Sequence, residues 1–146
     1  MATPPLIFVL NGPNLNLLGT REPEIYGSDT LDGIAARLVR QADELGVELD
    51  IRQSNHEGHL IDWLHEAQAK GAKAVIINPG GYSHTSVALH DAVKAIATPV
   101  IEVHLSDPET RESFRHTDLV ALAAKKLIKG KGAHGYSLAL DAAARL

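Results

Sequence analysis

Cysteine is absent from the 146 residues. Disulfide bonds, thiolate nucleophiles and thiolate metal sites are therefore excluded. A chain without thiols suits a reducing compartment, and a cytoplasmic location is expected. Aromatic residues are scarce: one Trp, two Phe and three Tyr make up 4% of the chain, so a Tyr in a polar loop stands out. There is no cationic excess either. Fourteen Lys and Arg against eighteen Asp and Glu give a formal net charge of −4, which leaves no basic footprint for nucleic acid. An anionic substrate would then need a local cationic site. No apolar run is long enough to cross a bilayer. Met1-Ala2-Thr3-Pro4-Pro5 places no charged segment before an apolar one, so no secretory signal is expected. Phosphate-loop signatures are missing as well. Neither G-x-G-x-x-G nor G-x-x-x-x-G-K-[ST] follows the first apolar run, and Pro13 removes an N–H where a phosphate would want one.

What is present is an ordinary globular balance, 45% hydrophobic and 22% charged, enough for one domain over residues 1–146. Leu6 to Leu10 reads as a buried strand ended at once by turn residues. After a long polar loop, Asp29 or Thr30 can cap a helix with Leu31, Ile34, Ala35, Leu38, Val39, Ala42 and Leu45 on one face. Gly46 is its expected stop. Val47, Leu49 and Ile51 alternate with charged residues, as in an edge strand with one wet face. Ser54 to Glu57 has the spacing of a capping box; Leu60, Ile61, Leu64 and Ala67 then form a helical stripe ended by Gly71. Ala74 to Ile77 is all apolar, hence a central strand. Leu89, Ala92, Val93 and Ile96 give a third helix. Pro99 opens a fourth strand, Val100 to Leu105, and Asp107-Pro108 looks like the cap and first turn of a short helix.

Leu119 to Lys129 fits helix or strand by pattern, but the glycines after Ile128 favour a last strand near Lys126–Lys129. Tyr136, Leu138, Ala139, Ala142 and Ala143 suit a final helix. Regular β-α alternation implies one parallel sheet with helices on both faces and right-handed crossovers. The expected fold is α/β, a flavodoxin-like three-layer sandwich whose five-stranded parallel sheet has the order 2-1-3-4-5.

In that order strands one, three and four are neighbours, and ligands bind outside their carboxyl ends at the switch between one and three. The chemically distinctive residues fall there: Asn14, Arg21 and Tyr26 after strand one, Asn78 and His84 after strand three, Glu102 and His104 at the end of strand four, and Arg115 beyond it. For Tyr26 to act as a base near neutral pH, its pKa of about 10 must drop by ~3 units, roughly 4 kcal/mol. Arg21 is a permanent cation close enough in sequence to do this. Glu102 and His104 share one side of their strand, so the carboxylate can fix the tautomer of the ring. Arg115 could clamp a carboxylate or form a surface ion pair. Two other readings stay open: a flavodoxin-like binding module for a nucleotide or flavin, and a metal hydrolase using His84, Glu102 and His104. The missing phosphate loop weighs against the first, and the missing H-E-x-x-H helix against the second. His56, His59, His65, His116 and His134 read as surface histidines.

These residues resemble the type II 3-dehydroquinase (3-dehydroquinate dehydratase) family. The likeness covers nearly the whole chain. It rests on Asn11-Gly12-Pro13-Asn14-Leu15-Asn16-Leu17-Leu18-Gly19 with Arg21, Pro23 and Tyr26-Gly27; on Gln53-Ser54-Asn55 with Glu57; on Asn78-Pro79-Gly80 with His84-Thr85-Ser86; and on Ile101 to Ser106 with Arg111-Glu112 and Phe114-Arg115. The resemblance implies an anti elimination of water from 3-dehydroquinate that gives 3-dehydroshikimate, in the shikimate or quinate pathway, without metal or cofactor. It implies a homo-oligomer, trimers assembled into a dodecamer. Tyr26 would be the ionised base, held so by Arg21 on a lid of about residues 18–28. Asn14 would help stabilise the enolate through a water, and His104 would protonate the departing hydroxyl with Glu102 orienting it. Asn78, His84, Leu105, Ser106 and Arg115 would grip the substrate, and Asp91 would reach a neighbouring subunit's site. Two departures from the family pattern are Asp107, where Asn is frequent, and the basic run of Lys125, Lys126, Lys129 and Lys131.

Overall fold

The computed structural model describes residues 3–20, 22–26 and 29–146, with Pro23 and Tyr26 described by their backbone alone. Within these residues, alternation of apolar and turn-forming segments produces five strands: β1 (Leu6–Asn11), β2 (Glu48–Gln53), β3 (Ala74–Asn78), β4 (Val100–Val103) and β5 (Lys126–Ile128). They form one sheet in the order β2-β1-β3-β4-β5, as expected. All four ladders are parallel. The helices are α1 (Pro23–Tyr26), α2 (Leu31–Leu45), α3 (Glu57–Ala69), α4 (Val87–Ala95) and α5 (His134–Ala144).

Side-chain alternation along the strands builds two cores. Ile7, Val9, Ala74, Ile76, Ile101 and Val103 pack with α2 and α5 on one face. Phe8, Leu10, Val75, Ile77 and Val100 pack with α3 and α4 on the other. β1 and β3 are buried on both faces, which is why they read as continuous apolar runs. Glu102 interrupts the second pattern. Its place in register beside Ile77 puts a carboxyl group on an otherwise apolar face, with no exposure to solvent.

Local signals worked where they had no competitor. Thr30 caps α2 by accepting from Gly33 N, and Gly46 ends that helix at φ 72°. Asp107 accepts from Glu109 N at the start of the Pro108–Thr110 turn. The capping box at Ser54 does not form. α3 starts later, with His56 as N-cap and no side-chain bond there. Ser54 Oγ instead accepts from His56 N and pairs with His59 Nδ1, while Glu57 accepts from Ser86 Oγ at 2.5 Å. Local partners thus take the Ser54 hydroxyl, and one tertiary partner, Ser86, takes the Glu57 carboxylate that the box would have used. Strand four ends at Val103 rather than Leu105, although His104 N still donates to Ile128 O. The apolar stripe of α2 is narrower than its spacing suggests, because Val39 and Leu45 face solvent.

Candidate active site

The carboxyl ends of β1 and β3 are locked together before any side chain acts. Gly12 N donates to Asn78 O at 2.8 Å. A Cβ on Gly12 would stand 2.6 Å from Pro79 O, so only glycine allows the two strand ends to approach this closely. Gly80, at φ 58°, lies against Pro13 in the same junction. Asn14 follows with φ 69°, a left-handed conformation that Asn tolerates, and its N–H donates to Asn55 Oδ1.

Beneath the junction lies a buried amide–phenol network. Tyr136 Oη donates to Asn11 Oδ1 at 2.6 Å and accepts from Asn78 Nδ2 at 3.0 Å. Asn78 Oδ1 accepts from Gly80 N, and Asn11 Nδ2 donates to Arg52 O. Asn78 therefore has a fixed orientation where it meets the cleft. Burial keeps the Tyr136 phenol firmly protonated, well above its ordinary range.

The cleft, about 190 Å³, is lined by Asn14, Asn78, His84, His104, Leu105, Ser106, Arg111 and Arg115 together with Pro13, Leu15, Gly80, Gly81 and Pro108. No carboxylate is among them. A chain of net charge −4 has thus concentrated cations and neutral donors at one point, the local site that an anion requires. His84 Nδ1 donates to Thr117 O at 2.7 Å, which leaves Nε2 as its free ring nitrogen. Arg111 Nη1 contacts Ser106 Oγ at 3.5 Å, and Arg115 pairs with Glu112, so Arg115 is both a cleft residue and an ion-pair member.

Glu102 Oε2 and His104 Nε2 are 2.5 Å apart in the buried wall of the cleft. Asp118 Oδ2 lies 3.5 Å from the same nitrogen. Burial pushes the Glu102 carboxyl up to about 8, although its bond to His104 pulls the other way. For His104, burial disfavours the charged ring, but bonds to Asp118 and Glu102 outweigh it and raise the imidazole to about 9. These bonds favour the protonated ring, with Nε2 facing the two carboxyl groups and Nδ1 left for the cleft. Among the described residues, Glu102, His104 and Asp118 are also a group that could hold a metal ion. The 2.5 Å separation is that of a hydrogen bond, however; two ligands at about 2.0–2.1 Å from a tetrahedral Zn²⁺ stand further apart.

Of the expected site residues, Asn14, Asn78, His84, His104, Leu105, Ser106 and Arg115 line the cleft, and Glu102 sits directly behind His104. Asp91 is exposed on α4 and does not line it. Arg21 lies outside the described residues, as does the side chain of Tyr26. The backbone of α1 borders the site. Glu24 and Ile25 line a neighbouring depression with Leu105, Ser106 and Arg111, and Glu22 lies 3.9 Å from Arg111. Sequence reasoning missed Asp118, Arg111 as a lining residue, and the Tyr136–Asn11 support.

Residues 5–144 match the profile of the family described as dehydroquinase class II. The chain belongs to the class II dehydroquinase family. This class II dehydroquinase is 57% identical to 3-dehydroquinate dehydratase 1 of Agrobacterium fabrum over 137 residues, which cover 94% of each chain. It is 58% identical to the 3-dehydroquinate dehydratase of Caulobacter vibrioides, covering 94% of this chain and 93% of that one. Its fold superposes on the crystal structure of type II dehydroquinase from Propionibacterium acnes with a TM-score of 0.94, at 42% identity and full coverage of both chains. The type II dehydroquinase from Butyrivibrio crossotus gives 0.95 at 38% identity, covering 97% of this chain and 99% of that one.

Proposed function

We propose that this class II dehydroquinase removes water from 3-dehydroquinate to give 3-dehydroshikimate, as a single domain over residues 1–146. The observation that carries the reading is the placement of His104, whose Nε2 lies 2.5 Å from Glu102 and 3.5 Å from Asp118, an arrangement that favours the protonated ring, in the wall of a cleft whose other described lining groups are neutral or cationic. Such a ring is a competent acid for a leaving hydroxyl. The names of the 57–58% identical relatives supply the substrate.

In this reading the Tyr26 phenolate takes a proton alpha to the ketone, and the C–H electron pair moves into an enolate. Arg21 keeps the phenol ionised. Asn14 steadies the enolate oxygen through a water. The enolate then collapses, the C–O bond on the opposite face breaks, and His104 gives its proton to the departing hydroxyl, which leaves as water. Glu102 orients the ring. Asn78, His84, Leu105, Ser106 and Arg115 hold the hydroxyls and carboxylate of the substrate, whose negative charge suits the cationic wall. No step calls on a metal or cofactor.

Asp91, exposed on α4, would serve a neighbouring subunit's site in trimers that assemble into a dodecamer. A cytoplasmic enzyme of the shikimate or quinate pathway fits this chemistry, and no helix among the described residues is long and apolar enough to cross a membrane. The test is ultraviolet detection of the conjugated enone formed from 3-dehydroquinate. Product is expected from the native chain, at a rate that EDTA leaves unchanged, and Tyr26→Phe and Arg21→Ala should abolish most of it. Absence of product from the native chain refutes the activity; full activity in Tyr26→Phe refutes the mechanism.

A further inference from the structure

Asp118 has no task in the scheme above, yet it is one of the two carboxylates on His104. It lies in the segment between the Ser113–Arg115 turn and β5, far in sequence from the ring it meets. Its Oδ1 accepts from Ala121 N at 3.0 Å, which anchors the side chain, and Oδ2 is 3.5 Å from His104 Nε2. The Asp118 side chain is 17% exposed and that of His104 8%. We propose that Asp118 is a positioning residue for the acid: a second carboxylate, supplied by a separate chain segment, that holds the proton on His104. The proposal rests on the reading of His104 as the proton donor.

The charges around the ring make the case. From the turn after β3 comes the His84 ring; from the turns after β4 come two guanidinium cations, Arg111 and Arg115. These cations oppose a further positive charge in the same cleft. Glu102, on β4 itself, is the nearer carboxylate, but it is wholly buried on an apolar face and its Oε1 has no hydrogen-bond partner among the described residues. Burial raises the Glu102 carboxyl, so it is a poor source of negative charge at neutral pH. Asp118 behaves in the opposite way. Burial acts against its ionisation, but its bonds to His104 and Glu102 win and hold it below the usual carboxylate range. Glu102 therefore aims the ring, and Asp118 is the anion that offsets the cations. Both carboxyl groups meet the same nitrogen, Nε2, so Asp118 acts there through its charge while the short Glu102 bond orients the ring.

The experiment combines an NMR titration of the His104 ring with kcat and KM against pH, in the full-length enzyme and in Asp118→Asn, Asp118→Ala, Asp118→Glu and His104→Gln. Asn keeps an acceptor for Ala121 N and removes only the charge. Its expected effect is a ring titration lowered by about one unit or more. The alkaline limb of kcat should move down with it, by roughly tenfold in proton concentration per unit, while KM at acid pH stays within about twofold. Asp118→Glu should restore part of the shift. A ring titration left unchanged by both Asn and Ala overturns the proposal, whatever the activities are. Retained kcat in His104→Gln overturns instead the acid assignment on which it rests, so the two failures are distinguishable.

Discussion

Tyr136→Phe isolates a single oxygen atom beneath the candidate active site. The ring is fully enclosed, so Phe keeps the packing and opens no cavity. The hydroxyl that is lost is the partner of Asn11 Oδ1 at 2.6 Å and of Asn78 Nδ2 at 3.0 Å. Both amides are buried, and neither gains a new partner from a Phe ring. Leaving a buried polar group unpaired costs about 1–3 kcal/mol, and two groups are affected. Relaxation of the amides and the removal of a buried hydroxyl offset part of this, so a net loss of about 3 kcal/mol is expected. At about 2–4 °C per kcal/mol for a chain of this size, the thermal midpoint should fall by about 6–12 °C. The assay is urea unfolding at fixed protein concentration. It is followed by the fluorescence of Trp63, the one Trp in the sequence, which stacks on His59 and lies under Arg52. Because Asn78 lines the cleft, the same variant should raise KM several-fold while kcat changes less. A double-mutant cycle with Asn11→Ala should show coupling well above about 0.5 kcal/mol. A Phe variant within about 0.5 kcal/mol of the native chain would refute the argument, since the network would then not hold the strand ends.

Two further outcomes follow from the same geometry. Gly12→Ala should cost more than about 2 kcal/mol and abolish most turnover, because its Cβ would meet a backbone oxygen at 2.6 Å and neither strand end can yield; soluble, fully active protein would show that the junction tolerates displacement. Stability should decline as pH rises toward alkaline values. Folding raises Glu102 from 4.5 to about 8 and His104 from 6.5 to about 9, so each contribution is complete below the first value and lost as pH climbs through the second. Urea midpoints measured from neutral pH upward should fall, and less steeply in Glu102→Gln; midpoints that rise over that interval would contradict the assignment. The acid side has the opposite sign. The bond from Arg52 holds Glu66 down to about 2, so its contribution is present above 4.5 and disappears as pH drops through about 2.

The sheet was legible because each strand carries its own burial signature. β1 and β3 are apolar up to a closing Asn and central, whereas β2 alternates apolar and charged residues in sequence, is nowhere fully buried and lies at the edge. Once the order 2-1-3-4-5 is fixed, the residues just past β1, β3 and β4 have to meet, and topology alone brings Asn14, Asn78, His84 and His104 to one cleft. Ser54 failed as a cap for a reason of the same kind with the opposite sign. Its spacing to Glu57 is local, but Glu57 is claimed by Ser86, twenty-nine positions away in the chain, and a local pattern does not register a distant competitor.

Tyr136 and Asp118 show why a chemical site is harder to read than a fold. Tyr136 occupies a core position in the stripe of α5 and reads as packing; only its last atom is functional, and nothing in a helical period distinguishes a phenol that ends on carbon from one that ends on two amides. Asp118 stands in a segment with no clear periodicity, where an acidic residue ordinarily means solvent. What makes it different is the path of the backbone. Leu119 N bonds to Ser83 O in the turn after β3, and Lys125 N to Val100 O at the start of β4, so the segment is held at both ends and its acid lies against His104. His104 is thus announced by its strand, and its second carboxylate by a crossing of loops. That asymmetry gives the Asp118 experiment its force. A residue placed by tertiary crossing alone can be changed without disturbing a strand, so a moved titration of His104 reports on charge rather than on a broken fold.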